Sequence, residues 1–116
     1  MSNANPVRAV LMSADIKSGG TGFHRLEYKV DGGRGGVSNV TVLISQDAHR
    51  KLAGQLVRAR LPVIEKAQLL KIWARWAIAT RLEQQGFLPS TLTITASDLD
   101  DFGAYAVDLG RHLRAS

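Results

Sequence analysis

The stretch KVDGGRGGVSNVTVLIS, residues 29–45, places four glycines and Arg34 between two segments that contain β-branched residues. Glycine adopts positive φ angles at little steric cost, as a hairpin connection between two strands requires. A phosphate-binding loop would instead lead directly into a helix, so that backbone amides and the helix dipole converge on the anion. Because a strand pattern follows this loop, we predict a hairpin tip, from which Arg34 can contact a partner.

Outward from this hairpin, four short segments have the pattern of β-strands. They are residues 7–14, 23–30, 37–44 and 91–95. Alternate apolar residues of these strands, together with two from the longest predicted helix, are expected to form the core. The predicted core residues are Leu26, Tyr28, Val40, Val42, Ile44, Leu70 and Trp73.

Three helices are predicted after the third strand. Ser45 can cap the first, the second covers residues 63–86, and Ser97 can cap the last, with Asp100 completing a capping box. Gly54 in the first helix suggests a close backbone contact or an early end. We therefore expect an α+β fold, in which an antiparallel sheet of three to four strands packs against a long central helix and two shorter helices.

The long helix is apolar around most of its circumference. Nine of the eleven residues from position 69 to 79 are apolar, and the two exceptions are Lys71 and Arg75. Such a helix must be covered on several sides, by the sheet and by another helix or a second subunit. We predict that Trp73 and Trp76 lie in the core or in a homodimer interface, and that the protein self-associates through this helix. The alternative is that the two tryptophans stack on nucleobases beside Arg75.

Charge is unevenly distributed along the chain, whose net charge is +5. Residues 48–81 contain eight basic residues and a single acid, whereas residues 98–108 contain four aspartates and no basic residue. One interpretation is two solvated surfaces of opposite sign that partly pair. The other is a polyanion-binding surface. The residues proposed for a partner or polyanion surface are Arg34, Arg50, Arg58, Lys71 and Arg75.

Length and composition indicate an ordinary globular protein. The 116 residues, 45% hydrophobic and 22% charged, predict one domain over residues 1–116, with residues 1–6 as a disordered or tag-like tail. The absence of cysteine excludes disulfides and thiolate metal sites. With no membrane-spanning or signal-peptide pattern, we expect a cytoplasmic protein.

The sequence carries no recognisable catalytic pattern. The three histidines, His24, His49 and His112, lack ligand spacing. Asp98, Asp100 and Gly103 match three positions of a calcium loop, but Leu109 replaces the glutamate that its last position requires. We therefore expect no enzyme, no metal site, no cofactor and no small-molecule substrate.

The segments GVSNVTVLISQDAHRKLAG, AQLLKIWARWAIATRLEQQG and LTITASDL together span about residues 37–99. Their order resembles a family of small bacterial proteins known only as a domain of unknown function. In that family a short hairpin leads through an Ile-Ser step into a helix, and the domain closes with a strand and an Asp-Leu pair. The resemblance implies a hairpin against helices and no activity.

Two functions remain open from these residues. The first is a small non-enzymatic regulatory or protein-interaction module, in which the central helix and the basic surface contact a protein partner or a second copy of the chain. The second is a nucleic-acid-binding protein that uses the basic region 48–81, although no base-reading motif accompanies that charge.

Overall fold

The computed structural model of the chain describes residues 8–17, 22–31, 36–58, 60, 65–100 and 109–111. The elements, in chain order, are strands β1 (Arg8–Asp15), β2 (Phe23–Asp31) and β3 (Val37–Ser45), helices α1 (Gln46–Arg58) and α2 (Lys66–Gln85), strand β4 (Thr91–Ile94) and a 3₁₀ helix (Ala96–Leu99). Residues 109–111 are also helical. The predicted α+β class is confirmed.

The four strands form one sheet in the order β1-β2-β3-β4. The first three strands are an antiparallel meander, but β4 pairs with β3 in parallel, with Thr41 opposite Thr91. The prediction of a purely antiparallel sheet is therefore wrong for β4. The reason is topological, because the two helices between β3 and β4 return the chain to the end of the sheet where β3 begins.

Both helices lie against one face of this sheet and enclose a single core. All seven predicted core residues are buried, which confirms the predicted strand faces. The hydroxyl of Tyr28 on β2 donates a hydrogen bond to the backbone carbonyl of Lys71 on α2, at 2.9 Å. This bond fixes the long helix over the centre of the meander.

The ends of α1 and α2 follow local capping chemistry. The hydroxyl of Ser45 accepts a hydrogen bond from the amide of Ala48 at 2.9 Å, so the predicted cap of α1 is confirmed. The predicted end of α2 at Gly86 is also confirmed, since this residue has a φ of 76° and its amide donates to the carbonyl of Leu82. Glu65 has non-helical angles, so α2 begins at Lys66. The predicted first residues, 63 and 64, lie outside the described part of the chain.

Gly54 neither ends α1 nor marks a close contact. The helix continues to Arg58, and a methyl group added at Gly54 would meet no atom within 4 Å. The expectation of a backbone contact at this glycine is therefore wrong.

Only parts of the last predicted helix fall within the described residues. A 3₁₀ helix starts after Thr95 rather than after Ser97, and the carboxylate of Asp98 accepts a hydrogen bond from the amide of Thr95 at 2.7 Å. The predicted pairing of Ser97 with Asp100 is thus wrong by two residues. Residues 101–108 and 112–116, which include most of the predicted helix, are outside the described ranges.

Candidate interaction surface

The two faces of the sheet differ in what covers them. Along β2, the residues at even positions from His24 to Val30 are buried under the helices, whereas the odd positions from Phe23 to Asp31 point to the opposite side and are exposed or half-buried. Among the described residues no helix packs on that second side. We call it the outer face.

The outer face carries exposed apolar side chains. Val10 is 58% exposed, Met12 62% and Val37 54%, and Phe23 at one end of β2 is 40% exposed. Two further large apolar residues are exposed away from the sheet, Val57 on α1 and Phe87 after α2. Scattered single residues of this kind are ordinary on protein surfaces, but several within one sheet face are typical of a contact surface.

Charges on the outer face balance each other. Its ionisable residues on β1 and β2 are Arg8, Asp15, Arg25, Glu27, Lys29 and Asp31. The carboxylate of Glu27 accepts a hydrogen bond from the hydroxyl of Ser13 at 3.1 Å and lies 3.7 Å from Nε of Arg25. Three cations against three anions give this surface no net attraction for a polyanion.

Strand β1 is an edge of the sheet and contains a β-bulge. Its register with β2 shifts between Leu11 and Ser13, so Met12 is the additional residue. An extra residue reverses which side chains of a strand face outward beyond that point. As a result Arg8 and Asp15, seven residues apart, both lie on the outer face, opposite Asp31 and Arg25 of β2 respectively.

The basic residues predicted to form one patch are divided between two helices. Arg50 and Arg58 lie on α1, and Lys71 and Arg75 lie on α2. Arg50 forms an ion pair with Asp47 one turn earlier. Arg58 and Arg75 are exposed and Lys71 is half-buried. The fifth predicted residue, Arg34, lies outside the described residues.

Part of the opposite charge predicted for residues 48–81 and 98–108 does pair. Nζ of Lys51 on α1 lies 2.7 Å from a carboxylate oxygen of Asp100, and it also donates to the carbonyl of Ala96 at 3.2 Å. The amide of Gln55 donates to the carbonyl of Leu99 at 3.5 Å. These contacts tie α1 to the 3₁₀ helix, and they use one cation of the basic region for structure.

The tryptophans of α2 are both enclosed by the chain itself. Trp73 is fully buried and Trp76 is 8% exposed. Five other residues of α2 are buried with them: Leu69, Leu70, Ile72, Ala74 and Ile78. These apolar residues of α2 are thus covered within one chain and do not require a second subunit to cover them.

A pair of histidines lies where β2 meets α1. The rings of His24 and His49 are perpendicular, with centroids 5.9 Å apart. His24 is fully buried and its Nδ1 accepts a hydrogen bond from the backbone amide of Lys17 at 3.0 Å, while its Nε2 has no hydrogen-bond partner. Burial, and next the nearby charge of Lys66, lower the pKa of His24 to about 4.

His49 behaves in the same way to a lesser degree. It is half-buried, and burial, followed by the charges of Lys66 and Arg50, lowers its pKa below the usual range. Nζ of Lys66 is held at this place by a hydrogen bond to the carbonyl of Lys17, at 2.8 Å. The described residues contain no group of three side chains placed to bind a metal. We interpret the pair as a neutral structural contact between β2 and α1.

Sequence reasoning missed the residues of the outer face on β1. The segment VRAVLMSA has the pattern of a continuous apolar run, although Val10 lies on the outer face. The position of His24 could have been found, because it shares the even-numbered face of β2 with Leu26 and Tyr28. The bulge at Met12 leaves no sequence signal of its own.

No family model, curated protein or solved structure matches this chain. The resemblance of residues 37–99 to a domain of unknown function therefore stays a prediction. In the described part of the chain, none of the helices has both the length and the apolar character needed to cross a membrane.

Proposed function

We propose that this protein is a small protein-interaction module whose contact surface is the outer face of the sheet, together with the edge of β1 that no described strand covers. The observation that carries this proposal is the group of exposed apolar side chains, Val10, Met12 and Val37, within a charge-balanced surface. Protein interfaces combine an apolar centre with a polar rim, and charged residues are depleted at the centre. A bare edge strand adds backbone donors and acceptors that an extended partner can pair with.

The proposed contact surface is on the sheet and not on the central helix. The apolar residues of α2 are buried within the chain, so a partner could reach them only after the helix had left the sheet. Exposing that much apolar surface to water is unfavourable in free energy. The outer face, by contrast, needs no rearrangement to receive a partner.

A photo-cross-linking amino acid at position 10 tests this function. Val10 on the outer face and Val57 on α1 are similarly exposed apolar residues, so substitution of Val57 by the same cross-linker is a matched control. We expect covalent protein adducts in the source cells from position 10 and not from position 57, unaffected by nuclease treatment. Failure to obtain adducts at position 10, or equal adducts at both positions, would contradict the outer face as the contact surface.

Nucleic-acid binding is the second candidate, supported by one observation. Arg58, Lys71 and Arg75 form no ion pair with the described residues, so these cations remain available to phosphate. Counterion release makes such binding fall steeply with salt. The charge-balanced outer face and the pairing of Arg50 with Asp47 speak against it.

The double substitution Arg50→Glu/Arg58→Glu tests this second candidate, with Arg25→Glu/Lys29→Glu on the outer face as a control of equal charge change. A phosphate-binding surface on the helices predicts that the first variant loses duplex DNA binding at low salt and the control retains most of it. We expect instead that the wild type binds random DNA only weakly and releases it near physiological salt. Submicromolar binding at physiological salt, abolished only by the helix variant, would reverse this order of candidates.

A further inference from the structure

Among the described residues no strand pairs with the outer edge of β1, and that edge has a self-complementary pattern. In an antiparallel pairing of β1 with β1 of a second copy, centred between Leu11 and Met12, Arg8 of each copy lies opposite Asp15 of the other. Val10 then lies opposite Ser13, and Ala9 opposite Ala14. Resting on the function proposed above, we propose that the edge of β1 in this contact surface binds a second copy of this chain, joined edge to edge through β1.

The β-bulge makes this register possible. Residues opposite each other in an antiparallel pair point to the same side of the sheet. In a regular strand Arg8 and Asp15 would point to opposite sides, because they are an odd number of positions apart. The additional residue Met12 reverses the second half of β1, so both charged residues lie on the outer face. In the symmetric register the two side chains of each pair therefore point to the same side of the sheet. The exception is the central pair of Leu11 with Met12, where the bulge lies.

Charge complementarity extends beyond the edge strands. Arg8 lies opposite Asp31 of its own β2, and Asp15 lies opposite Arg25. In the joined sheet, four side chains on neighbouring strands thus form a row of alternating charge. They are Asp31 and Arg8 of one copy, followed by Asp15 and Arg25 of the second copy. A twofold axis repeats this row at the other end of the interface. Lys17, 3.0 Å from Asp15, lies just beyond the strand and remains outside the row.

Apolar contact near the axis supplies the remaining attraction. In this register Met12 of each copy lies next to the twofold axis and close to Met12 of the other copy, and Met12 is 62% exposed in the single chain. A bulge in an edge strand often prevents pairing with other chains. Here it places matching side chains on the same side, and the joined sheet has eight strands with its two free edges at the β4 strands.

Sedimentation of the purified full chain over micromolar concentrations tests the pairing. We expect a monomer–dimer equilibrium in the wild type. Arg8→Asp and Asp15→Arg should each weaken dimerisation by about tenfold, because each change creates like-charge contacts at both ends of the symmetric interface. The combined variant Arg8→Asp/Asp15→Arg should recover most of the wild-type affinity, since opposite charges face each other again.

The recovery separates contact between copies from stability within one chain. In the combined variant, Asp at position 8 faces Asp31 and Arg at position 15 faces Arg25, so the contacts inside each chain are all unfavourable. Only the contacts between copies are restored. Circular dichroism establishes that each variant is folded at the temperature of sedimentation.

A second pair of variants keeps the test decisive if a charge reversal prevents folding. Met12→Lys places two cations beside the axis and should shift the protein to monomer, whereas Val57→Lys, at an equally exposed site on α1, should leave the dimer intact. Any of three results would overturn the pairing: a monomeric wild type, a combined variant that dimerises as weakly as the single variants, or equal effects of Met12→Lys and Val57→Lys. A monomer that still cross-links to another protein from position 10 would overturn the pairing alone and leave the proposed function standing.

Discussion

The same strands form both faces of the sheet, but the inner face, which the helices cover, is buried and the outer face is not. On β2, Leu26, Tyr28 and Val30 are buried beneath two helices, while Arg25 and Lys29, their immediate neighbours, face away from the helices and stay exposed. Period-two alternation alone produces this division. The contrast teaches that stability and contact can be assigned to separate residues of one strand, and each assignment can be tested by substitution.

The largest contrast should come from truncating the large buried side chain that α2 places in the core beneath the sheet. Trp73→Ala removes a fully buried indole, and we expect it to lower the free energy of unfolding by about 3 to 5 kcal/mol. Val37→Ala, at a 54% exposed site on the outer face, should change it by less than about 0.5 kcal/mol. Urea unfolding of both variants measures the difference. An unchanged melting temperature for Trp73→Ala would show that Trp73 is wrongly placed in the core.

The second largest effect concerns pH. Because the pKa of His24 is about 4 in the folded chain and 6.5 in the unfolded chain, only the unfolded chain gains this proton as the pH falls from 6.5 toward 4. Stability should therefore decrease over that range, by up to about 3 kcal/mol, and the His24 contribution should be constant above it. Thermal unfolding of wild type and His24→Gln between pH 4 and 8 provides the measurement. The glutamine retains an acceptor for the Lys17 amide but cannot gain a proton, so most of the decline should disappear.

A smaller effect is expected from the hydrogen bond that joins Tyr28 on β2 to α2. Tyr28→Phe removes the hydrogen bond to the carbonyl of Lys71, and the loss of this bond should cost about 0.5 to 1.5 kcal/mol. Burial raises the pKa of Tyr28 to about 12, so the hydroxyl is a donor at every pH of interest. The loss, measured by urea unfolding, should accordingly be the same at pH 6 and pH 8. A variant as stable as the wild type would mean that water or another donor replaces the hydroxyl.

The smallest effect should come from an ion pair on the outer face. Arg25→Ala removes the contact with Glu27. The side chain of Arg25 is 56% exposed and that of Glu27 is 45% exposed. Exposed pairs of this kind contribute less than about 1 kcal/mol, and salt weakens them further. Unfolding of the variant should match that of the wild type within this limit. A loss above about 2 kcal/mol would indicate that the outer face is covered within the chain.

Strand and helix patterns allowed most of the inner face to be predicted. The alternation of Leu26, Tyr28, Val40, Val42 and Ile44 places these residues correctly, because burial on one face of a strand requires a period of two. The cap at Ser45 and the glycine end at Gly86 are likewise local chemistry.

The remaining features depend on contacts between distant segments. Four residues of β4 carry no information on which strand they join or in which direction, so the parallel pairing with β3 could not be foreseen. The partner of Lys51 is Asp100, far away along the chain, and the bulge at Met12 appears only in the register with β2. For the same reason the sequence located charge on α1 and α2 but did not locate the outer face.

The parallel strand β4 also has a consequence for the order of folding events. The meander of β1, β2 and β3 joins strands that follow one another in the chain, whereas Thr91 can meet Thr41 only after residues 46–90 have returned along the sheet. Closing that long segment costs more chain entropy than closing a hairpin, so we expect the contacts of β4 to form late in folding. We therefore expect truncation of Leu92 to accelerate unfolding while leaving the folding rate nearly unchanged. The strand that completes the sheet is then also the first to leave it.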